Sequence, residues 1–144
     1  MSGRIMGIDY GRKRVGLAVT DPSGIIAGGL KTVPATEIWT FLDEYLEREK
    51  VVRIVVGYPK KMNTRPSGAA DFILPFVRKL QEKFREIPVD MMDERYTSRM
   101  AVQTMVEGGL KKKKRQDKSL VDTVSATLIL QSYLDRLNVE NRKL

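Results

Sequence analysis

The sequence predicts an α/β fold, with a mixed five-stranded sheet that carries helices on both faces. The predicted elements follow the order βββαβαβαα, which is typical of this layered class. Residues 51–56 are β-branched and almost wholly apolar, as expected of a parallel strand that is covered on both faces. With 144 residues the chain has the size of one domain, so we expect residues 1–144 to form a single domain.

The first two strands are predicted as an antiparallel pair, a turn leads into a third strand, and the last two strands follow helices. The turn residues Gly11, Arg12, Lys13 and Arg14 separate the first two strands, and Pro22-Ser23-Gly24 precedes the third. The predicted strands span residues 4–10, 15–20, 25–33, 51–56 and 88–93.

Apolar residues at helical spacing predict the helices between and after these strands. Thr36 is a candidate N-cap for the first helix, and Pro75 indicates a kink or a later start in the second. Thr97 or Ser98 is a candidate N-cap for the third helix, which is expected to run through Val106 and to be stopped by Gly108-Gly109. The four predicted helices span residues 37–49, 69–84, 97–106 and 119–137.

Composition excludes several kinds of active site. The chain has no Cys and no His, so thiolate nucleophiles, zinc–thiolate sites and imidazole bases or ligands are absent. Any metal would be held by oxygen atoms, which favour Mg²⁺ or Mn²⁺. No signal segment or membrane-length apolar run is present, so we expect a cytoplasmic protein without membrane contact.

The charge of the chain favours a polyanionic partner. The net charge is +8 and the pI is about 9.8. Lys111, Lys112, Lys113, Lys114, Arg115 and Lys118 fall within one short stretch. A lysine run alone fits a solvated loop equally well, but together with the overall charge it favours nucleic acid.

Asp9 is the first candidate for a functional side chain. It ends a strongly apolar predicted strand, and ligands of mixed sheets usually bind at the carboxyl ends of strands. A carboxylate beside buried apolar residues is costly unless a cation or hydrogen-bond donors meet its charge. Taken alone, Asp9 is explained equally well by a hydrogen bond that stabilises the following turn.

Further acids at the same edge favour the metal interpretation. Asp93-Glu94 ends the fifth predicted strand, and Asp122 interrupts an apolar helical segment. Asp122 alone would also fit a first-turn acid that complements the helix dipole. Strand alternation places Asp93 and Glu94 on opposite faces without deciding which one joins Asp9. Clustered carboxylates can hold two Mg²⁺ or Mn²⁺ ions about 4 Å apart, an arrangement that hydrolyses phosphodiesters without His or Cys.

Four motifs in order resemble the YqgF (RuvX-type) family of Holliday-junction-resolvase-like proteins, described as pre-16S rRNA nucleases. These motifs are GIDYGRKRVGLAV at residues 7–19, VVGYPKKMN at 55–63, DERYTS at 93–98 and VDTVSATLILQSYL at 121–134. The resemblance covers nearly the whole chain and implies an RNase H-like fold. It also implies a catalytic, metal-binding triad of Asp9, Glu94 and Asp122, which favours Glu94 over Asp93.

The resemblance and the charge pattern together nominate substrate-binding residues. The family motifs suggest contacts to the nucleic-acid backbone from Lys13, Arg14, Lys61, Arg95, Thr97 and Ser98. The lysine run adds Lys111, Lys112, Lys113 and Lys114.

The leading hypothesis is therefore a metal-dependent endonuclease that matures the 5′ end of pre-16S rRNA, with association with the ribosome as part of that role. The first alternative is cleavage of four-way DNA junctions, which is expected to need a symmetric dimer. No segment of the sequence indicates a dimer interface, so we expect a monomer or a weak homodimer. The second alternative is a noncatalytic nucleic-acid-binding regulator. ATP-binding folds of the sugar kinase and actin superfamily are disfavoured, because they need two such domains.

Overall fold

Five strands and three long helices make up the part of the chain that the structure, a computed structural model, describes. The described residues are 2–58, 69–93, 106–109 and 117–142. The strands are β1 (Arg4–Tyr10), β2 (Arg14–Thr20), β3 (Ala27–Pro34), β4 (Val51–Tyr58) and β5 (Val89–Asp93). The helices are α1 (Ile38–Arg48), α2 (Ala69–Lys83) and α3 (Lys118–Arg142), and a short 3₁₀ helix, Ala35–Glu37, precedes α1.

The five strands form one mixed sheet in the order β3-β2-β1-β4-β5. The pairs β1–β2 and β2–β3 are antiparallel, whereas β1–β4 and β4–β5 are parallel. The carboxyl ends of β1, β4 and β5 therefore emerge at one edge of the sheet. The predicted α/β class and the mixed five-stranded sheet are confirmed.

Helices cover both faces of the sheet, as predicted. Met6 and Ile8 of β1 pack into a core with residues of α1 and α2, such as Leu42 and Phe76. On the opposite face, α3 buries Ala126, Leu130 and Leu134 with Ala18 of β2, and Ile129 and Tyr133 with Val55 of β4. Alternate residues along β1 consequently face different helices, with Ile8 toward α1 and α2 and Gly7 toward α3.

The prediction that β3 begins at residue 25 is wrong, because a side chain competes for the backbone there. Asp21 accepts hydrogen bonds from the backbone N–H groups of Ser23, Ile25 and Ile26. These bonds hold the segment in a turn, and the strand starts at Ala27. Ile25 and Ile26 are left 69% and 70% exposed.

The ends of the first two helices also differ from prediction. Thr36 does not cap α1, since it lies inside the 3₁₀ helix and α1 starts at Ile38 without a side-chain cap. Helix α2 begins at Ala69 and runs through Pro75, so the later start is wrong. A Pro in a helix costs one backbone hydrogen bond, and here the apolar stripe that buries Ile73, Phe76 and Leu80 compensates.

The predicted stop after the third helical segment is confirmed where the chain is described. Val106 and Glu107 are helical, and Gly108 and Gly109 form a turn. The Gly109 N–H donates to the Val106 carbonyl at 3.0 Å, with Gly109 at φ +79°. A positive φ favours glycine, and this explains the break. None of the helices in the described ranges combines the length and apolarity that a bilayer crossing requires.

Candidate active site

An open cleft lies at the edge of the sheet where β1 ends. Its volume is about 430 Å³, and it is lined by Asp9, Gly11, Arg12, Lys13, Arg14, Lys118 and Asp122. The cleft thus joins the β1–β2 turn to the first turns of α3. Four cationic side chains surround two carboxylates, so the cleft can attract an anionic ligand while it retains oxygen donors for a cation.

Asp9 reaches this cleft because it follows the alternation of β1. Gly7 lies against α3, and Asp9, two residues later, has the same orientation. Asp9 is half-buried and pairs in register with Gly16 of β2. A strand that is apolar up to Ile8 therefore delivers one carboxylate to the edge of the α3 face.

Gly16 allows α3 to approach the sheet beside Asp9. A Cβ atom built on Gly16 would lie 2.1 Å from the backbone oxygen of Asp122 and 3.1 Å from the Asp122 Cβ. Only a residue without a side chain permits this contact. Because Gly16 is also the register partner of Asp9, the same glycine brings the two acids to one place.

Asp122 is held by an ion pair across the sheet–helix boundary. The Arg14 Nε–H donates to Asp122 Oδ2 at 2.6 Å, and the two side chains are 36% and 18% exposed, respectively. Arg14 is the first residue of β2, and it shares the α3-facing side with Gly16. A charge-assisted bond of this length meets the cost of partly burying the carboxylate.

The helix-dipole explanation of Asp122 does not fit the structure. Asp117 occupies the N-cap position, where its Oδ1 accepts the backbone N–H of Ser119 at 3.0 Å and that of Leu120 at 3.3 Å. The first turn of α3 contains no acid, and Asp122 lies beyond it. Asp117 therefore stabilises the helix start, and the helix dipole does not account for Asp122.

Asp93 lies on the opposite face of the sheet from Asp9. In the register of β4 and β5, Gly57 pairs with Met92 and Tyr58 pairs with Asp93. Met92 packs on the α3 side against Val55 and Tyr133. Since neighbouring strand residues alternate, Asp93 faces away from α3. Asp93 therefore does not share the side of the sheet that carries Asp9.

The structure brings together only some of the predicted site residues. Asp9, Lys13, Arg14 and Asp122 share the cleft. Nine others lie outside the described residues: Lys61, Glu94, Arg95, Thr97, Ser98, Lys111, Lys112, Lys113 and Lys114. Within the described ranges, no group of three or more acids is placed to hold a metal ion. The two carboxylates of the cleft are oxygen donors of the type that Mg²⁺ and Mn²⁺ prefer.

Three cleft or framework residues were not nominated from the sequence. Arg12 and Lys118 line the cleft beside the nominated cations. The sequence carried a signal for both, since Arg12 belongs to the basic turn and Lys118 to the basic stretch before α3. Gly16 lies inside a predicted strand, where an isolated glycine indicates that another backbone segment approaches closely. The sequence does not tell which element approaches.

Comparisons with known proteins agree with this architecture. The family model described as "RuvX: Holliday junction resolvase" matches residues 3–136. A protein of Porphyromonas gingivalis named "Putative pre-16S rRNA nuclease" is 56% identical over 133 residues, which cover 92% of this chain and 96% of that protein. A relative from Phocaeicola vulgatus with the same name is 55% identical over 132 residues, 92% of this chain and 95% of its own length.

Among solved structures, Thermus thermophilus RuvC in complex with a Holliday junction substrate is similar in fold. The TM-score is 0.57 at 19% identity, and the match covers 94% of this chain and 96% of RuvC. The fold is therefore RNase H-like, as the sequence motifs implied. The nuclease class predicted from those motifs is likewise confirmed by the family and by the names of its relatives. The family model spans nearly the whole chain, and the chain therefore belongs to the RuvX Holliday junction resolvase family.

Proposed function

We propose that this protein is a divalent-metal-dependent endonuclease that cleaves pre-16S rRNA during maturation of its 5′ end. One observation carries the proposal: Asp9 and Asp122, from the first strand and the last helix, line the same cationic cleft. Two carboxylates that share a cleft with four basic side chains suit a metal-assisted reaction on a phosphodiester. We further propose that residues 1–144 act as one nuclease domain.

The metal would be held by Asp9, Asp122 and Glu94. The oxygen donors of Asp9 and Asp122 fit Mg²⁺ or Mn²⁺, and a chain without His or Cys offers no softer ligand. Glu94 is preferred to Asp93, because the family motifs favour Glu94 and because Asp93 lies on the face opposite Asp9. When bound, two such ions lower the pKa of a water molecule and stabilise the departing oxygen.

The basic side chains around the acids would bind the substrate backbone. Lys13 is exposed at the rim of the cleft, and its backbone carbonyl accepts the Ala35 N–H at 2.9 Å. That bond ties the β1–β2 turn to the segment before α1. A turn fixed in this way presents its cations to a phosphate at little entropic cost. Lys61, Arg95, Thr97, Ser98 and the run Lys111, Lys112, Lys113 and Lys114 would extend the contact surface.

The similarity to the curated relatives supports RNA as the substrate. Those relatives are named for pre-16S rRNA and match this chain at more than half of the aligned positions. The similarity to RuvC, at 19% identity, extends to the fold. With an rRNA precursor as substrate, we propose a cytoplasmic protein that meets it on the ribosome or on a ribosomal precursor. We also propose that it acts as a monomer or a weak homodimer, because no segment of the sequence indicates a dimer interface.

A cleavage assay with two substrates tests this proposal. The protein is incubated with Mg²⁺ or Mn²⁺ and end-labelled pre-16S rRNA, and in parallel with a four-way DNA junction. We expect cleavage of the RNA that is lost in Asp9→Asn and Asp122→Asn. The matched control is Asp135→Asn, because Asp135 lies exposed on α3 and contacts Gln131 rather than the cleft.

The other outcomes contradict the site assignment or favour a different function. Cleavage that persists in Asp9→Asn contradicts the metal-site assignment. Cleavage of the junction alone favours the resolvase activity for which the family is named. Metal-independent binding of either substrate without cleavage favours a noncatalytic regulator.

A further inference from the structure

Two partners compete for the Asp122 carboxylate. The proposed function assigns Asp122 to a metal ion, whereas in the structure the Arg14 guanidinium occupies its Oδ2 at 2.6 Å. A cation bound at Oδ2 and the Arg14 guanidinium would place two positive charges at one carboxylate oxygen, where they repel each other. Arg14 and a metal ion ligated through this oxygen therefore compete for Asp122.

Arg12, the other arginine that lines the cleft, does not take part in this ion pair. Arg12 lines the same cleft with the same charge, but its guanidinium lies over the Phe72 ring at 4.7 Å from the centroid. Arg14 instead bridges β2 to α3, across 108 positions of sequence. The turn thus uses one arginine to contact an aromatic ring and another to neutralise an acid.

The backbone of Arg14 is fixed, whereas its side chain lies partly exposed to solvent. The Gly11 N–H donates to the Arg14 carbonyl at 2.9 Å, and Arg14 pairs with Pro34 of β3. The side chain is 36% exposed, compared with 18% for Asp122. A guanidinium displaced from Asp122 would therefore remain at the cleft, within reach of any phosphate bound there.

We propose that Arg14 is the internal counter-ion of Asp122 in the metal-free protein, and that an incoming divalent cation displaces it and thereby frees it to bind a substrate phosphate. The proposal rests on the proposed function, since it assumes a metal at Asp122. It makes Arg14 a positioning residue that links metal loading to substrate binding. In the metal-free protein, Arg14 neutralises the partly buried Asp122 carboxylate. Metal binding then costs the free energy of this one ion pair.

Calorimetric titration of Mn²⁺ tests the competition directly. Arg14→Gln removes the competing charge, so we expect Mn²⁺ to bind about tenfold more tightly, equivalent to about 1.4 kcal/mol. Arg12→Gln is the matched control, because it removes the same charge from the same cleft without touching the ion pair. Arg12→Gln should strengthen Mn²⁺ binding by about threefold or less, because it only lowers the general positive potential of the cleft. Equal gains in both variants, or no gain in Arg14→Gln, would overturn the proposal.

A second readout follows the side chain itself. In the metal-free protein the Arg14 Nε–H should exchange slowly with water in nitrogen-15 NMR spectra, and added Mg²⁺ should accelerate that exchange. Arg14→Lys, which keeps the charge but not the planar fork, should bind Mn²⁺ with an affinity between those of the parent and Arg14→Gln. If Mg²⁺ binds while the Arg14 Nε–H still exchanges slowly with water, the metal does not displace Arg14 from Asp122 and the proposal is overturned. Absence of any Mn²⁺ binding in the parent protein instead contradicts the proposed metal-dependent function.

Discussion

Adding one methyl group at Gly16 tests how the cleft is assembled. In Gly16→Ala the new Cβ would lie 2.1 Å from the Asp122 carbonyl oxygen and 2.5 Å from its carbonyl carbon, whereas ordinary contacts begin at 3.4 Å. Both atoms belong to the backbone of α3, so no side-chain rotation can relieve the clash. The helix must therefore move away from β2 by about 1.3 Å, the difference between 2.1 Å and 3.4 Å.

This shift has two measurable costs. Overpacking of a close helix–sheet contact lowers the free energy of unfolding by about 1 to 3 kcal/mol. The shift also separates Asp122 from Asp9, which is the register partner of Gly16. A displacement of about 1 Å in an active site costs about a hundredfold in rate. We therefore expect a folded protein whose cleavage rate falls about a hundredfold.

Urea unfolding and the RNA-cleavage assay together provide the test, with two alanine variants as controls. Gly28→Ala should match the parent in both assays, since a Cβ there would meet only the Val19 carbonyl at 3.9 Å. Gly29→Ala would place its Cβ 2.7 Å from Cγ2 of the Thr123 side chain rather than from the helix backbone, and should lose stability but retain most activity. If Gly16→Ala cleaves as fast as Gly29→Ala at equal stability, the glycine does not position the acids.

Two further predictions concern charge. Hydrogen bonds, chiefly from the Ile26 N–H and the Ser23 hydroxyl, hold the pKa of Asp21 well below its usual 3.8. A carboxylate whose pKa is lower in the folded state stabilises the fold above about pH 4, and this stabilisation is lost as the pH falls. Between about pH 4 and pH 2, the free energy of unfolding should therefore decline less for Asp21→Asn than for the parent protein. An equal decline in both proteins would contradict this prediction. Replacing Lys111, Lys112, Lys113 and Lys114 by serine should weaken nucleic-acid binding and flatten its dependence on salt. An unchanged salt slope would mean that the run is a solvated loop.

The fold could be predicted because its main signals are local. Apolar periodicity and the β-branched run of β4 identify elements, and the order of elements limits the topology. Two of the wrong boundaries lie where one polar side chain bonds to the backbone. Asp21 delays β3 to Ala27, and Asp117 starts α3 at Lys118, one residue before the predicted start. Such boundaries depend on a single hydrogen-bond geometry, which apolar spacing does not encode.

The site was less predictable because its decisive contacts are long-range. The Arg14–Asp122 ion pair spans 108 positions, and the approach of α3 to Gly16 depends on how the helix is rotated against the sheet. The choice between Asp93 and Glu94 also depends on long-range contacts. Alternation predicts that they face opposite sides of the sheet, but only the strand register relative to β1 tells which side carries Asp9. That register pairs Ile8 with Val56 and Val56 with Met91, which turns Asp93 away from Asp9. A slip of one residue would reverse the assignment, so the third acid of the proposed triad depends on strand pairing rather than on any local property of the DERYTS motif.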